Sequence, residues 1–449
     1  MLLKKVYIQV IMRQFLRFLL LTVCLVCTGL VACGDDDSSS TAPMGGESSA
    51  FFVGESSSST EFFSSSSFLE TLSSFSISSS DFVGSVASEK IYEITTTVIE
   101  DTLDLFYYGS MNLNFRADSF STIFAIGDIV TLMVDGYDTV NVPVVAYRGD
   151  VSVGEYLLSV GDGSGYVSFE VLNGDPAEAI GIGRDVKFPI NVTVKLKEKG
   201  GYNEYFLLRQ HLTMSYYLEA YPTLSIEQFA NFRKVSTTGM GEGVLYRSSS
   251  PIDASLGRNL YADSLAKVAG VATFVDFAEV MERAMTYRDF ANSYYATQNA
   301  IFLGVPPAFV NKVFKEGLVK GYRFMVEHDG PYLLHCTYGM DRTGFSIAVL
   351  EALMGATADE IKTDYAITFI NYCDVVNNVQ VPLTLHQVDL LKEIIANNLK
   401  NSYHTVGVDI SDFNNVDLAA ATEKYLLALG MAQTEIDALK QRLAKKTGF

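Results

Sequence analysis

Short runs rich in Val, Ile, Thr, Tyr and Phe follow one another from Ile91 to about Leu196: IYEITTTVIE, DIVTLMVDGYDTVNVPVVA, GYVSFEVL and FPINVTVKL. Such residues suit a pleated, half-buried surface, and Asp135-Gly136, Gly161-Asp162-Gly163 and Asn173-Gly174 supply turn chemistry between the runs. The pattern predicts a small all-β barrel or sandwich over residues 89–204, with Pro189 marking an edge or a bulge because proline cannot donate to a strand ladder. LKEKGGYNEY (196–205) reads as the hinge out of this domain. Beyond residue 205 the period lengthens. SLAKVAG closes a helix on Gly270, while VATFVDF (271–277) and PYLLHC (331–336) are compact apolar runs of the kind buried in a parallel sheet. RTGFSIAVLEALMG has helical spacing and stops at Gly355, and Thr357-Ala358-Asp359-Glu360 is a capping box that opens the next helix. DLAAATEKYLLALG and TEIDALKQRLAKK read as amphipathic helices separated by Gly430. Residues 205–449 are therefore expected to be α/β, a central mainly parallel sheet flanked by helices.

The first 88 residues follow neither pattern. Lys4, Lys5, Arg13 and Arg17 precede the apolar run FLLLTVCLVCTGLVAC, the layout of an export signal. The run ends Leu30-Val31-Ala32-Cys33-Gly34, which resembles the lipobox of bacterial lipoproteins. That resemblance implies a signal peptide over residues 1–32 and lipidation of Cys33 as the mature N-terminus. It places the protein extracytoplasmically in a bacterial cell envelope, with the membrane as a partner through the lipid anchor. A serine-dominated tract follows over residues 33–88, which buries too little apolar surface to offset its ordering entropy and reads as a disordered tether. Cys24 and Cys27 lie inside the apolar run and are a matter of composition, not a redox or zinc site.

Composition narrows the function. A net charge of −19 and a pI near 4.7 argue against nucleic-acid binding, so an anionic ligand would need a locally built site. Three of the five cysteines fall in the first 33 residues. The remaining pair, Cys336 and Cys373, excludes a disulfide framework; Cys373 reads as a small buried hydrophobe, with a protective disulfide to Cys336 as the alternative. His211, His328, His386 and His404 show no metal-ligand spacing, and no metal or cofactor is expected.

The densest chemistry lies in HCTYGMDRTG, residues 335–344, where a buried strand ends and a helix begins. In an open α/β sheet that is the carboxyl edge, and the helix N-terminus there offers unpaired N–H groups and positive potential. Gly339 and Gly344 free the backbone to wrap into a cradle and let the helix pack closely. The cradle, residues Thr337, Tyr338, Gly339, Met340, Asp341 and Arg342, suits a phosphate. Its dipoles favour the thiolate of Cys336, and Arg342 can grip two phosphate oxygens with its planar fork. Thr343 can donate its hydroxyl to the thiolate, making it a better leaving group, and His335 is expected to fix the loop through backbone carbonyls.

This C-x5-R arrangement resembles that of the cysteine-dependent protein tyrosine phosphatases. Together with Asn231-Phe232-Arg233, GVLYRSSSP (243–251) and VATFVDFAEVMER (271–283), it is similar over roughly residues 205–400 to the bacterial tyrosine/serine phosphatases, whose loop typically reads H-C-x-x-G-K-D-R-T-G. The resemblance implies metal-independent hydrolysis of a phosphomonoester, with Cys336 as nucleophile, Arg342 as the phosphate-binding arginine, and a phosphorylated protein or small phosphate ester as partner. Met340 departs from the usual lysine, which weakens the case for multiply phosphorylated ligands. Phosphatases of this chemistry commonly take their general acid from a separate loop. Here NAIFLGVPPAFVNK (299–312) holds no carboxylate, leaving Asp341 first, then Asp276 and Glu279, with Asp329 read as turn chemistry. Arg233 and Arg247 either line the entrance or hold the N-terminal segment of the domain by salt bridges. Two alternatives stand beside a protein phosphatase: an extracytoplasmic phosphatase of inositol phosphates, phosphoinositides or other small esters, and an inactive surface protein that binds a phosphorylated ligand.

Overall fold

Strands β1 (Glu93–Leu103), β2 (Gly109–Arg116), β3 (Ile129–Val134), β4 (Thr139–Val145), β5 (Tyr156–Ser159), β6 (Tyr166–Val171) and β7 (Ile190–Glu198) form the first part of the fold in the computed structural model. It describes residues 93–103, 109–161, 163–183 and 186–444. The signal segment 1–32, Cys33 and the tether 33–88 expected from the sequence lie outside the described residues.

The all-β part is a closed barrel rather than a sandwich, in the order β1-β2-β6-β5-β4-β3-β7 with β7 returning to β1. Every neighbouring pair is antiparallel except β4 and β5, which run parallel. Period-two alternation sends Val130, Leu132 and Val134 of β3, and Val192 and Val194 of β7, into the interior. Pro189 marks neither an edge nor a bulge. It stands just before β7, which pairs on both sides, and the register shift falls opposite Ile129 and Val130 instead. Nor is 196–205 a free hinge. The chain leaves β7, turns at Gly200 and enters the short helix Asn203–Arg209, whose Tyr205 hydroxyl bonds to that of Ser152 at the barrel wall.

The second part is built on a five-stranded sheet ordered β11-β10-β12-β9-β8: β8 (Arg233–Lys234), β9 (Leu245–Ser248), β10 (Thr273–Asp276), β11 (Asn299–Phe302) and β12 (Tyr332–His335). Four strands are parallel and only β8 is antiparallel. The longer helices are α1 (Asn259–Val268), α2 (Lys312–Glu327), α3 (Asp341–Met354), α4 (Ala358–Tyr372), α5 (Leu385–His404), α6 (Leu418–Ala428) and α7 (Gln433–Ala444). Leu245, Val275 and Leu334 face the core shared with α2 to α7, while Tyr246, Phe274 and Leu333 face the opposite side beneath α1. Burial on both faces explains why these strands read as unbroken apolar runs. Residues 205–444 are thus α/β as expected. The helix ends fall at their signals: Gly355 is left-handed at the end of α3, and Thr357 with Glu360 closes a reciprocal cap on α4.

The two parts pack as one unit, Ala87–Phe449. Val310, from the segment between β11 and α2, is buried in the barrel core. Around it the Asp175 N–H donates to Asn311 Oδ1 (3.0 Å), the Lys312 N–H to Glu178 Oε1 (2.7 Å), and Asn401 Nδ2 to the Gly154 carbonyl (3.3 Å). Among the described residues no helix is long and apolar enough to cross a membrane.

Candidate active site

Register decides what meets at the carboxyl edge of the sheet. Asp276 of β10 pairs with His335 of β12, and His335 with Ser248 of β9, so the three strands end level. Cys336 follows at once, only 2% exposed, and the chain runs through residues 337–340 before entering α3 at Asp341.

Three successive loop carbonyls are held from outside. The Thr337 carbonyl accepts from the Ser250 N–H (3.0 Å), the Tyr338 carbonyl from the Tyr372 hydroxyl (3.0 Å), and the Gly339 carbonyl from Arg247 Nη2 (2.8 Å). Asn231 Nδ2 reaches the last two at 3.4 Å. In a planar trans peptide the C=O and the following N–H point in opposite directions, so the N–H groups of Tyr338, Gly339 and Met340 are turned inward. Among the described residues those three meet no acceptor. Buried N–H groups without partners are rare in folded proteins, and a convergent set of them is an anion cradle. Gly339 is required here: its φ is +67°, and a Cβ would lie 2.1 Å from the Ser248 carbonyl oxygen. Gly344 serves contact, because a Cβ there would lie 2.6 Å from the Tyr365 ring.

Arg342 lies across the cradle. Its Nη1 donates to the Val305 carbonyl (3.1 Å) and its Nη2 approaches Thr337 Oγ1 (3.4 Å), while Nε is buried without a partner. Thr343 Oγ1 is also buried and unpartnered, and makes no hydrogen bond to Cys336 here. Met340 takes no place at the surface. Its side chain is buried in the main core, so nothing cationic stands where the usual lysine would.

His335 is fully buried, and its Nε2 meets the Tyr295 hydroxyl (3.1 Å), a partner the sequence does not suggest, while the Cys336 backbone adjoins the ring. Burial pushes it down to about 3, so it is neutral. Asp276 lies 3.8 Å away, fully buried, with Oδ1 accepting from the Ala278 and Glu279 N–H groups (2.7 and 3.1 Å) and Oδ2 unpartnered. Burial pushes Asp276 up to about 7, against the opposing pull of those N–H groups and of Arg342. Glu279 is engaged elsewhere, accepting from the Tyr287 hydroxyl (2.8 Å) and pairing with Arg283 (3.2 Å). Asp329 pairs with Arg442, away from the loop. Asp341 is half-buried and its carboxylate makes neither hydrogen bond nor ion pair among the described residues, so it is not a structural acceptor of N–H groups. Burial raises its pKa, opposed by Arg342 and by Arg209 from the helix that leaves the barrel.

Arg233 and Arg247 do not line the entrance. Both clasp Asp364 of α4, at 2.9 and 2.5 Å, and hold its carboxyl below the usual range although burial alone would raise it. Cys373 is a free, buried thiol pushed up to about 12 by its apolar surroundings, and no disulfide joins it to Cys336. Three groups that shape the loop carried little sequence signal. Asn231 and Ser250 sit in quoted motifs without assigned roles, whereas Tyr372 acts across a distance in the chain that no local pattern reveals. Among the described residues no three His, Cys, Asp or Glu side chains are arranged to hold a metal ion.

Residues 224–445 match the model of the tyrosine phosphatase family. The match spans β8 to β12 with their helices, including the whole cradle, and leaves the barrel outside. It supports phosphatase, hence hydrolase, chemistry on phosphorylated substrates. No curated protein matches the chain. Among solved structures, the crystal structure of an uncharacterized conserved protein from Thermotoga maritima is similar at 23% identity and a TM-score of 0.20, over 23% of this chain and 36% of that one.

Proposed function

We propose that this phosphatase domain hydrolyses phosphomonoesters, phosphotyrosine in proteins foremost, through a phosphocysteine at Cys336. The observation that carries the reading is the loop whose three successive carbonyls, of residues 337–339, are drawn outward, leaving the N–H groups that follow and the unpartnered Arg342 Nε to receive a phosphate. In the first step the Cys336 thiolate attacks phosphorus, an S–P bond forms, and the P–O bond to the leaving group breaks as Asp341 gives that oxygen its proton. In the second, water attacks phosphorus, the Asp341 carboxylate takes a proton from it, the S–P bond breaks and inorganic phosphate leaves. In this reading Thr343 stabilises the returning thiolate, its buried hydroxyl having no other partner. Asp341 suits the acid role because its carboxylate is uncommitted, whereas Glu279 is engaged and Asp276 is sealed beneath the sheet edge.

Depth favours an aryl ester, since a nucleophile 2% exposed is reached more readily by a phosphate on a long flat ring than by phosphoserine. The inward Met340 leaves no cation for a second phosphate and counts against inositol polyphosphates. The Leu30–Gly34 sequence supports lipid attachment at Cys33 and an extracytoplasmic setting. The deciding measurement is p-nitrophenyl phosphate turnover, expected in the full chain, lost in Cys336→Ser and kept in Cys373→Ser. Turnover that survives Cys336→Ser would remove the phosphocysteine step.

A further inference from the structure

Beside the catalytic loop the surface is apolar, and nothing in the reaction above uses it. Tyr338 is half-buried with its phenol against that of Tyr216, and burial together with this neighbour pushes Tyr338 up to about 12. Tyr216 and Tyr217 are 49% and 69% exposed. They are not on a loose segment. Arg258 Nη1 and Nη2 donate to the Ser215 carbonyl at 3.3 and 3.2 Å, the Ser215 N–H bonds to the Tyr221 hydroxyl at 2.9 Å, and that hydroxyl donates on to the Tyr372 carbonyl at 2.8 Å.

A two-stranded hairpin, Val375–Val376 with Val379–Gln380, lies against the same segment. The Val375 N–H donates to the Thr213 carbonyl (3.3 Å), and Thr213 Oγ1 returns a bond to the Val375 carbonyl (3.1 Å). Asn377 and Asn378 both have positive φ, 51° and 61°, which specifies a tight two-residue turn and sets Val376 directly across from Val379. Both valines are about half exposed, at 49% and 50%. A rigid turn that displays a pair of valines to water, tied through Thr213 to the segment that carries two exposed tyrosines, has the apolar character that marks a binding surface. The two stretches that carry it hold neither Lys nor Arg, from Gln210 to Phe232 and from Thr363 to Leu391, and Arg258, which reaches the Ser215 carbonyl, is buried beneath them. An anionic membrane surface or a polyphosphorylated headgroup would call for basic residues in those stretches. Uncharged apolar side chains do not.

We propose that Tyr216, Tyr217, Val376 and Val379 form a docking rim that binds apolar residues flanking the phosphorylated tyrosine of a protein substrate. The proposal rests on the phosphomonoesterase reading and adds its specificity. Tyrosine rings supply large contact area at small entropic cost, and the valine pair adds a preformed apolar step beyond them.

The test uses the full chain and two phosphotyrosyl peptides of equal length and charge, one flanked by Leu, Val and Phe and the other by Ser and Gly. The apolar peptide is expected to show kcat/KM about tenfold higher, the yield of burying one apolar side chain. Tyr217→Ser and Val379→Ser should each erase most of that preference while leaving p-nitrophenyl phosphate turnover unchanged, because that substrate is too small to reach the rim. Affinity of the same peptides for the Cys336→Ser chain reads the rim apart from turnover. If p-nitrophenyl phosphate is never hydrolysed but Cys336→Ser still prefers the apolar peptide, the catalytic reading falls and the rim stands. Equal kcat/KM and equal affinity for both peptides would overturn the rim. So would faster hydrolysis of a phosphoinositide in anionic vesicles than of either peptide.

Discussion

Asp276 and His335 face each other at 3.8 Å in a site from which both are wholly withdrawn from water, and burial favours the neutral form of each. With Asp276 held at about 7 and His335 at about 3, against ordinary values of 3.8 and 6.5, the proton lies on the carboxyl from about pH 4 to 6.5. Over that window the raised carboxyl loses stability as pH rises, and the depressed imidazole loses it as pH falls, so the two slopes oppose. Relative to the parent chain, Asp276→Asn should gain stability with rising pH and His335→Gln should lose it, each by up to about 1.4 kcal/mol per pH unit. Urea unfolding at pH 4, 5 and 6 measures both, and slopes of the same sign would show that the pair does not share the proton in this way. Asp341 differs because it is only half-buried and its carboxylate has no partner among the described residues. With its pKa raised by burial, its acid form persists to higher pH than a free carboxyl's, so turnover limited by leaving-group departure should fall as pH rises through it. Asp341→Asn should remove that fall and lower kcat on phosphotyrosine by about 10²- to 10⁴-fold. It should cost far less on p-nitrophenyl phosphate, whose leaving group needs little protonation. Equal losses on both substrates would move the proton donor elsewhere.

The strand, loop and helix around Cys336 were legible in the sequence because each carries its own local signal. These are the apolar run of β12, the Gly339 bend, the Gly355 stop, and the cap shared by Thr357 and Glu360. What stayed hidden depends on partners far away in the chain. Tyr372 occurs in an apolar helical run, and its hydroxyl has a task only once α4 packs beside the loop, 34 residues from Tyr338. His335 finds the Tyr295 hydroxyl, 40 residues upstream, a partner no local pattern announces. Closure of the seven strands into a barrel was open for the same reason, since a sandwich shares the same alternation and differs only in whether β7 meets β1. Pro189 marks no edge because it precedes the first residue of β7 and so owes the ladder no N–H. The Asn377-Asn378 turn is a faint local signal, its flanking strands being only two residues each.

At the scale of the whole molecule, the barrel holds in place the segment from which phosphatases of this chemistry commonly draw a general acid. Residues 303–312 are fixed from three sides. Arg342 bonds the Val305 carbonyl, Ser402 Oγ bonds the Phe309 carbonyl (2.7 Å), and the barrel receives Val310 and pairs with Asn311 and Lys312. A segment so anchored, without a carboxylate, cannot swing an acid over the substrate, in keeping with a donor inside the loop. Removing the barrel would strip Val310 of its cover, worth about 1.5–3 kcal/mol. It would also orphan buried polar groups at about 1–3 kcal/mol apiece. Those losses are comparable to the whole stability of a typical domain, about 5–15 kcal/mol. A fragment of residues 200–449 is therefore expected to lack a cooperative unfolding transition by circular dichroism. A fragment of residues 87–449 keeps both parts and should match the full chain in p-nitrophenyl phosphate turnover. Cooperative unfolding with full turnover in the shorter fragment would reduce the barrel to an independent appendage, since catalysis would then need none of the contacts around Val310.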